Sequence, residues 1–367
     1  MNKKRLLMSL PLFTLTLTSC AQQIDWSTNL GAYLYEMEYH SGFNILQLTD
    51  IHWNVNSSTA SSKQYLDKVL AEADKHVTGG IDLVELTGDQ FMLANTYHVK
   101  TFVEYFETKA VEYGFMYAII WGNHDRHGMY SPNWLADKYR EAPHCIYIEP
   151  EDNLYGRSNY VINLKDGTDV KWQIYNLDSG ASFSESPLAI GRNYDYIRDD
   201  QVNWFKAERA LQPAANAIAY YHIPQQDNLE AWNTRSTRTH KFFKLEGFGD
   251  ADKPEYKSDF IKEGRALKLK GAFMGHAHNV DWTVDYDGVV IGLGVKTGTE
   301  LYFAHIDPAD TKKEVVEGLA SLSTPIDQKF DLIGASLVTI KDDTSFDLEH
   351  LYLNERDGGD FIVWEKW

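Results

Sequence analysis

The chain is poor in cysteine, has no excess of positive charge and lacks an apolar run long enough to cross a membrane. Its 367 residues include two cysteines, Cys20 and Cys145. If Cys20 is acylated, Cys145 has no partner and no disulfide is expected. Cys145 lies in His144-Cys145-Ile146-Tyr147 and reads as a buried apolar side chain. The formal charge is −18. That balance argues against binding nucleic acid or an anionic membrane through bulk charge. The apolar stretch 6–17 is about a dozen residues, short of the ~20 that a spanning helix needs. No tandem repeat is visible.

Aromatic residues are abundant, with 10 Trp, 22 Tyr and 17 Phe. This is not a disordered composition, and the length suits one large or two modest domains. At the N-terminus, Lys3, Lys4 and Arg5 precede the apolar stretch, which ends Leu17-Thr18-Ser19-Cys20. That ending is similar to a bacterial lipobox. Residues 1–19 therefore read as a lipoprotein signal peptide, Cys20 as the acylated residue and 20–40 as a lipid-anchored tether, whose aromatic stretch 33–39 could already pack on the domain. The protein is expected outside the cytoplasm, on the periplasmic or cell-surface side of a bacterial membrane. An ordinary secretory peptide cut nearby, with Cys20 incidental, is the other reading. Losing 1–19 takes three positive and no negative charges from −18, which leaves −21.

Along the chain, apolar runs alternate with helical periodicity. Residues 43–48 read as a strand. Tyr65, Leu66, Val69, Leu70 and Ala73 recur at helical spacing and predict a helix over 62–76, stopped by Gly79-Gly80. A strand over 81–86, a helix over 97–113 ending at Gly114, and a strand over 115–121 follow. This β-α-β-α-β order predicts parallel strands joined by crossover helices. Strands are expected at 160–164, 170–177, 217–221 and 272–274, a helix at 198–211, and a hairpin over 282–293 about Asp287-Gly288. Short strands are predicted at 336–340, 346–353 and 361–364. Residues 225–265 show no clear period and read as an insertion near a substrate or as a solvated loop.

Five of the strand-like runs end in residue types that bind metals. They are Asp50-Ile51-His52, Gly88-Asp89, Gly122-Asn123-His124-Asp125, His222 and Gly275-His276-Ala277-His278. In open α/β sheets, ligands bind beyond the carboxyl ends of strands. Five such ends would converge on one rim. Alone, each has a plainer reading: Asp50 or Asp89 as a cap or turn residue, Asn123 as a turn former, His222 as a satisfied core histidine. Their joint occurrence favours a metal site.

The set resembles the calcineurin-like metallophosphoesterases, whose pattern is D-x-H, G-D, G-N-H-D/E, H and G-H-x-H. All five parts stand here in that order. The resemblance implies an α/β fold, a metallophosphoesterase-type β-sandwich of two mixed sheets flanked by helices. The site would lie at the strand C-terminal ends, and a single domain would span 41–367. It implies a first metal held by Asp50, His52 and His278, a second held by Asn123, His222 and His276, and Asp89 bridging them. The ions would be two of manganese, iron or zinc. His124 would contact the phosphate and protonate the leaving oxygen, with Asp125 orienting it. The activity implied is hydrolysis of phosphomonoesters by metal-activated hydroxide. Alternatives are a diesterase acting on nucleotides, lipid headgroups or wall polymers, and a non-catalytic surface lipoprotein binding glycan or a partner. The partner expected is a small phosphate ester, met by a monomer that touches membrane only through its lipid anchor.

Some segments narrow the resemblance. Purple acid phosphatases carry an iron-binding tyrosine three residues after the G-D aspartate. Here that position is Met92, so no iron-tyrosinate site is expected. Leu177-Asp178-Ser179-Gly180, the stretch 196–205 and Tyr221-His222-Ile223-Pro224 nevertheless resemble the purple-acid-phosphatase-like subgroup. Arg126, Arg157 and Arg192 read as phosphate or substrate contacts, or as surface arginines.

Overall fold

The computed structural model describes residues 33–53, 59–93, 95–126, 130–150, 154–181, 194–235, 240–247, 257–300, 302–342, 344–354 and 361–367. The leader 1–19, Cys20 and Arg192 lie outside the described residues. The first part of the chain runs β1 (Leu34–Glu38), β2 (Phe43–Leu48), α1 (Thr59–His76), β3 (Leu83–Thr87), α2 (Thr96–Tyr113), β4 (Met116–Ile120), α3 (Pro132–Glu141) and β5 (Cys145–Ile146). The middle runs β6 (Tyr160–Asp166), β7 (Asp169–Asn176), α4 (Asp199–Leu211), β8 (Asn216–Tyr220), α5 (Gln226–Asn233), β9 (His240–Lys244), α6 (Phe260–Ala266) and β10 (Leu269–Met274). It closes with β11 (Val280–Tyr286), β12 (Val289–Leu293), β13 (His305–Ile306), α7 (Lys313–Ser321), β14 (Phe330–Asp331), β15 (Gly334–Ile340), β16 (Phe346–Asn354) and β17 (Phe361–Lys366).

Two large mixed sheets form. One is ordered β17-β16-β15-β2-β3-β4-β5, the other β1-β6-β7-β8-β10-β12-β11-β9. The predicted β-α-β-α-β stretch is realised: β2, β3 and β4 are parallel neighbours. In the second sheet β8, β10 and β12 are also parallel. Strand β2 is buried at every position, as a central strand covered on both faces must be.

Helix α2 shows how local sequence sets an element. The Asn95 side chain accepts from the amides of Tyr97 and His98 at 2.9 and 3.0 Å. At the other end Gly114 takes the left-handed conformation that stops a helix. Between them Val99, Phe102, Tyr105, Phe106 and Ala110 are buried. These residues, with Val69 and Leu70 of α1, cover one face of the first sheet. The opposite face carries Ile45, Leu83 and Ile120, in one core with Ile218, Phe273 and Ile291 of the second sheet. Helices α4 and α6 add Trp204, Phe205 and Phe260 to that core.

Three expectations change. Residues 34–38, read as tether, are a sheet strand: β1 pairs in parallel with β6, from Leu34 opposite Val161 to Glu38 opposite Lys165. Tyr33 is buried against Trp204. Residues 225–265, read as irregular, contain α5, β9 and α6. Each is short, and α5 has eight residues, too few for a periodicity to register. Cys145 is a partly buried free thiol packed against the core beneath α2 and α3. Among the described residues no helix is long and apolar enough to cross a membrane.

Candidate active site

All five ligand-bearing segments follow the C-terminal ends of β2, β3, β4, β8 and β10. Main-chain bonds tie the ends together. The Asp50 amide donates to the Gly88 carbonyl at 3.1 Å, the His52 amide to Asp89 at 3.0 Å, and the Gly275 amide to His222 at 3.1 Å. The Gln47 side chain crosses between the sheets, donating to the Met274 carbonyl at 3.2 Å. The backbone that results is unusual. Asp50, His52, Asp89 and His276 all have φ between 50° and 74°. Non-glycine residues persist there where their surroundings hold them, and such positions cluster at functional sites.

The side chains gather into two groups. In the first, Asp50, His52 and His278 bring ligand atoms within 4.8 Å of one another. His52 Nε2 lies 3.1 Å from His278 Nε2, and His278 Nε2 lies 3.4 Å from Asp50 Oδ1. In the second, Asp89, His222 and His276 gather the same way. Asn123 Oδ1 lies 3.0 Å from His222 Nε2 and 2.9 Å from His276 Nδ1. Asp89 reaches both groups: its Oδ2 is 3.3 Å from His222 Nε2 and 4.0 Å from His52 Nε2.

The donors suit cations. His222 Nδ1 donates to the Thr87 carbonyl at 2.9 Å and His278 Nδ1 to the Tyr302 carbonyl at 3.2 Å. Each bond fixes the tautomer that leaves Nε2 with a lone pair facing inward, as metal-ligating histidines require. Asp50 Oδ1 and His52 Nδ1 are buried without a hydrogen-bond partner. An unmatched buried carboxylate oxygen is costly in a protein interior and is what a metal would satisfy. Burial opposes ionisation of Asp89, but His222, His124 and His52 hold its carboxyl well below the usual range. Burial pulls His276 down to about 3, the neutral form a ligand needs. His222 goes the other way: burial lowers it, yet Asp89 and Asp50 raise it to about 9. Oxygen and imidazole donors in two buried groups joined by a carboxylate fit a pair of divalent or trivalent ions.

The Gly122-Asn123-His124-Asp125 loop is shaped from inside. A Cβ at Gly122 would lie 2.2 Å from the Asp89 amide, so a side chain there would displace Asp89. His124 is partly exposed, its amide donates to Asp89 Oδ1 at 2.8 Å, and its ring packs edge-on against His52. The resemblance gives Asp125 the task of orienting His124. In the structure both its carboxylate oxygens accept main-chain amides, Gly122 at 2.8 Å and Phe91 at 3.0 Å. It therefore shapes the loop that carries His124. Burial, with Asp89 nearby, pushes Asp125 up to about 8.

The segment Leu177-Asp178-Ser179-Gly180 supports two of these loops. Buried Asp178 takes the Arg126 guanidinium through both oxygens and accepts the Arg157 amide at 2.6 Å. Ser179 Oγ accepts the Ile223 amide at 2.8 Å, beside His222. Arg126 is thus paired within the protein, and Arg157 pairs with Glu149. Sequence reasoning missed Lys296. It follows β12, is buried, and donates to the Asp50 carbonyl at 2.8 Å. Nothing in the spacing of one lysine signals that.

Two facing mixed sheets thus carry two candidate metal-binding groups at their strand ends. The family model for calcineurin-like phosphoesterases matches residues 43–280, and the chain belongs to that family. Among curated proteins it is 24% identical over 268 residues to Phosphatase DCR2 of Saccharomyces cerevisiae. That match covers 67% of this chain and 45% of the yeast protein. It is 27% identical over 210 residues to the uncharacterized protein C1020.05 of Schizosaccharomyces pombe, covering 53% of this chain and 39% of that one. The chain thus spans less than half the length of these relatives. Among solved structures, TT1561 of Thermus thermophilus is similar at 9% identity and a TM-score of 0.40, over 70% of this chain and 90% of that one. The assignment rests on the family match.

Proposed function

We propose that the protein hydrolyses phosphomonoesters at the joined Asp50/His52/His278 and Asn123/His222/His276 groups, with Asp89 between them. The observation that carries this reading is the reach of Asp89 to a histidine of each group. Two bound ions would neutralise charge on the phosphoryl oxygens and activate water near neutral pH. Around them, the chain's own residues position and exclude. The Thr87 and Tyr302 carbonyls aim the His222 and His278 rings. His124, whose amide is tied to Asp89, would hand a proton to the leaving oxygen. Export as a lipoprotein acylated at Cys20 belongs to the same reading and rests on residues 1–20 alone.

The test is turnover of a generic monoester and a generic diester by purified protein, with metal content measured before and after chelation. Two ions per chain, chelator-sensitive turnover and a preference for the monoester are expected. His124→Ala should lower kcat about 100-fold or more, and Asp89→Asn should lose activity together with bound metal. Full activity in either variant, or turnover that survives complete metal removal, would sink the assignment. A diester preference would select the diesterase reading.

A further inference from the structure

Beyond β12 the chain stays against the site. Residues 294–298, Gly-Val-Lys-Thr-Gly, lie along the turn that carries Asp50 and His52. Three polar contacts join the two segments. Lys296 Nζ donates to the Asp50 carbonyl at 2.8 Å. The Thr49 amide donates to Thr297 Oγ1 at 3.1 Å, and the Thr297 amide donates back to the Thr49 carbonyl at 2.9 Å. Gly298 then passes so close that a Cβ would sit 2.1 Å from the Ile51 carbonyl oxygen. The segment fits this turn and leaves no room for a side chain there.

Lys296 is 1% exposed. A lysine that deep is rare unless it is paired with a carboxylate. Here the ammonium is committed to a main-chain carbonyl. That carbonyl belongs to Asp50, at φ 52°, and His52 follows two residues later at φ 50°. Such backbone needs outside support to persist. Lys296 bonds that backbone at the Asp50 carbonyl and Thr297 bonds Thr49 just before it, while the Asp50 carboxylate accepts the His276 amide at 2.9 Å and the Thr49 hydroxyl at 2.8 Å.

We propose that Lys296, with Thr297, is a positioning element for the first metal group. It holds the Asp50–His52 turn so that the Asp50 carboxylate and the His52 imidazole meet His278. Lys296 is not a ligand and touches no substrate. It acts through the backbone of a ligand, so this inference rests on the two-metal reading of the site.

A buried ammonium could instead matter only as a fixed cation, and the two roles predict opposite signs. Removing a cation from beside a metal group strengthens metal binding, because repulsion is lost. Removing a clamp on the ligands weakens it. The experiment is metal retention by the full-length protein under graded chelator for wild type, Lys296→Met and Thr297→Val, read by elemental analysis. The melting temperature of each metal-stripped protein and the kinetics of a generic monoester accompany it.

We expect both variants to release one of the two ions at least 10-fold more readily than wild type, while the other ion is retained. Stripped melting temperatures should stay within a few degrees of wild type, and kcat should fall with KM within about twofold. Tighter or unchanged retention in both variants overturns the inference and leaves the two-metal reading intact. Loss of both ions together with a collapse of the stripped melting temperature also overturns it, since Lys296 would then serve the fold at large. A wild-type protein that holds no ion overturns the two-metal reading, and this inference with it.

Discussion

Glu85 is the clearest single-residue test of the space between the sheets. It shares a strand face with Leu83, is fully buried, and neither carboxylate oxygen has a hydrogen-bond partner. Burial pushes it up to about 8, against a smaller opposing pull from Asn176. The unfolded chain releases this proton near the ordinary carboxylate value, while the folded protein keeps it to about pH 8. The stability it contributes is therefore complete below about pH 4.5 and is lost as pH rises through about 8. Glu85→Gln should melt higher than wild type at pH 8, and the gap should close toward pH 5. Thermal melts across that range check this. A gap that stays constant with pH would mean that Glu85 is not held protonated.

At the scale of elements, β1 decides where the folded unit begins. From Tyr35 on, its residues alternate between half-buried and exposed, and its parallel pairing with β6 extends the second sheet at its edge. Tyr33, just before it, is 3% exposed and packs on Trp204 of α4. Tyr33→Ala should cost about 3 kcal/mol by leaving a large cavity in that core. Chemical denaturation measures it. A loss below about 0.5 kcal/mol would return 33–39 to the tether. The same scale explains the 225–265 stretch. Its helices are short, and Trp232 of α5 is buried against Trp282 and Phe242, so tertiary contacts hold it where local periodicity does not.

Over the whole molecule, the site joins chain regions that are far apart. His52 and His278 meet across 226 residues, and the ligand-bearing strands come from both sheets. Ions held this way would bind the folded protein and not the unfolded chain. At free metal 100-fold above Kd, binding adds about 2.7 kcal/mol of stability. Chelation should therefore lower the melting temperature, and adding back manganese, zinc or iron should restore it. Differential scanning calorimetry with and without chelator is the measurement. Removal of metal with an unchanged melting temperature would contradict a site assembled across both sheets.

By itself the sequence determined the strand–helix alternation of 43–121 and the order of its metal-binding residue types. Those features are local: apolar runs make buried strands, helical spacing makes α1 and α2, and Asp, His and Asn stand just past the strand ends. Tertiary structure brings these residues into two groups, which no single spacing could show. It also decided matters that depend on partners distant in sequence. Asp125 binds the backbone of its own loop, Asp178 and Ser179 brace loops on separate strands, and Lys296 supports a turn 246 residues away. Such roles arise where two sheets pack and a buried polar group must find a partner, so they are set by tertiary contacts and not by neighbours along the chain.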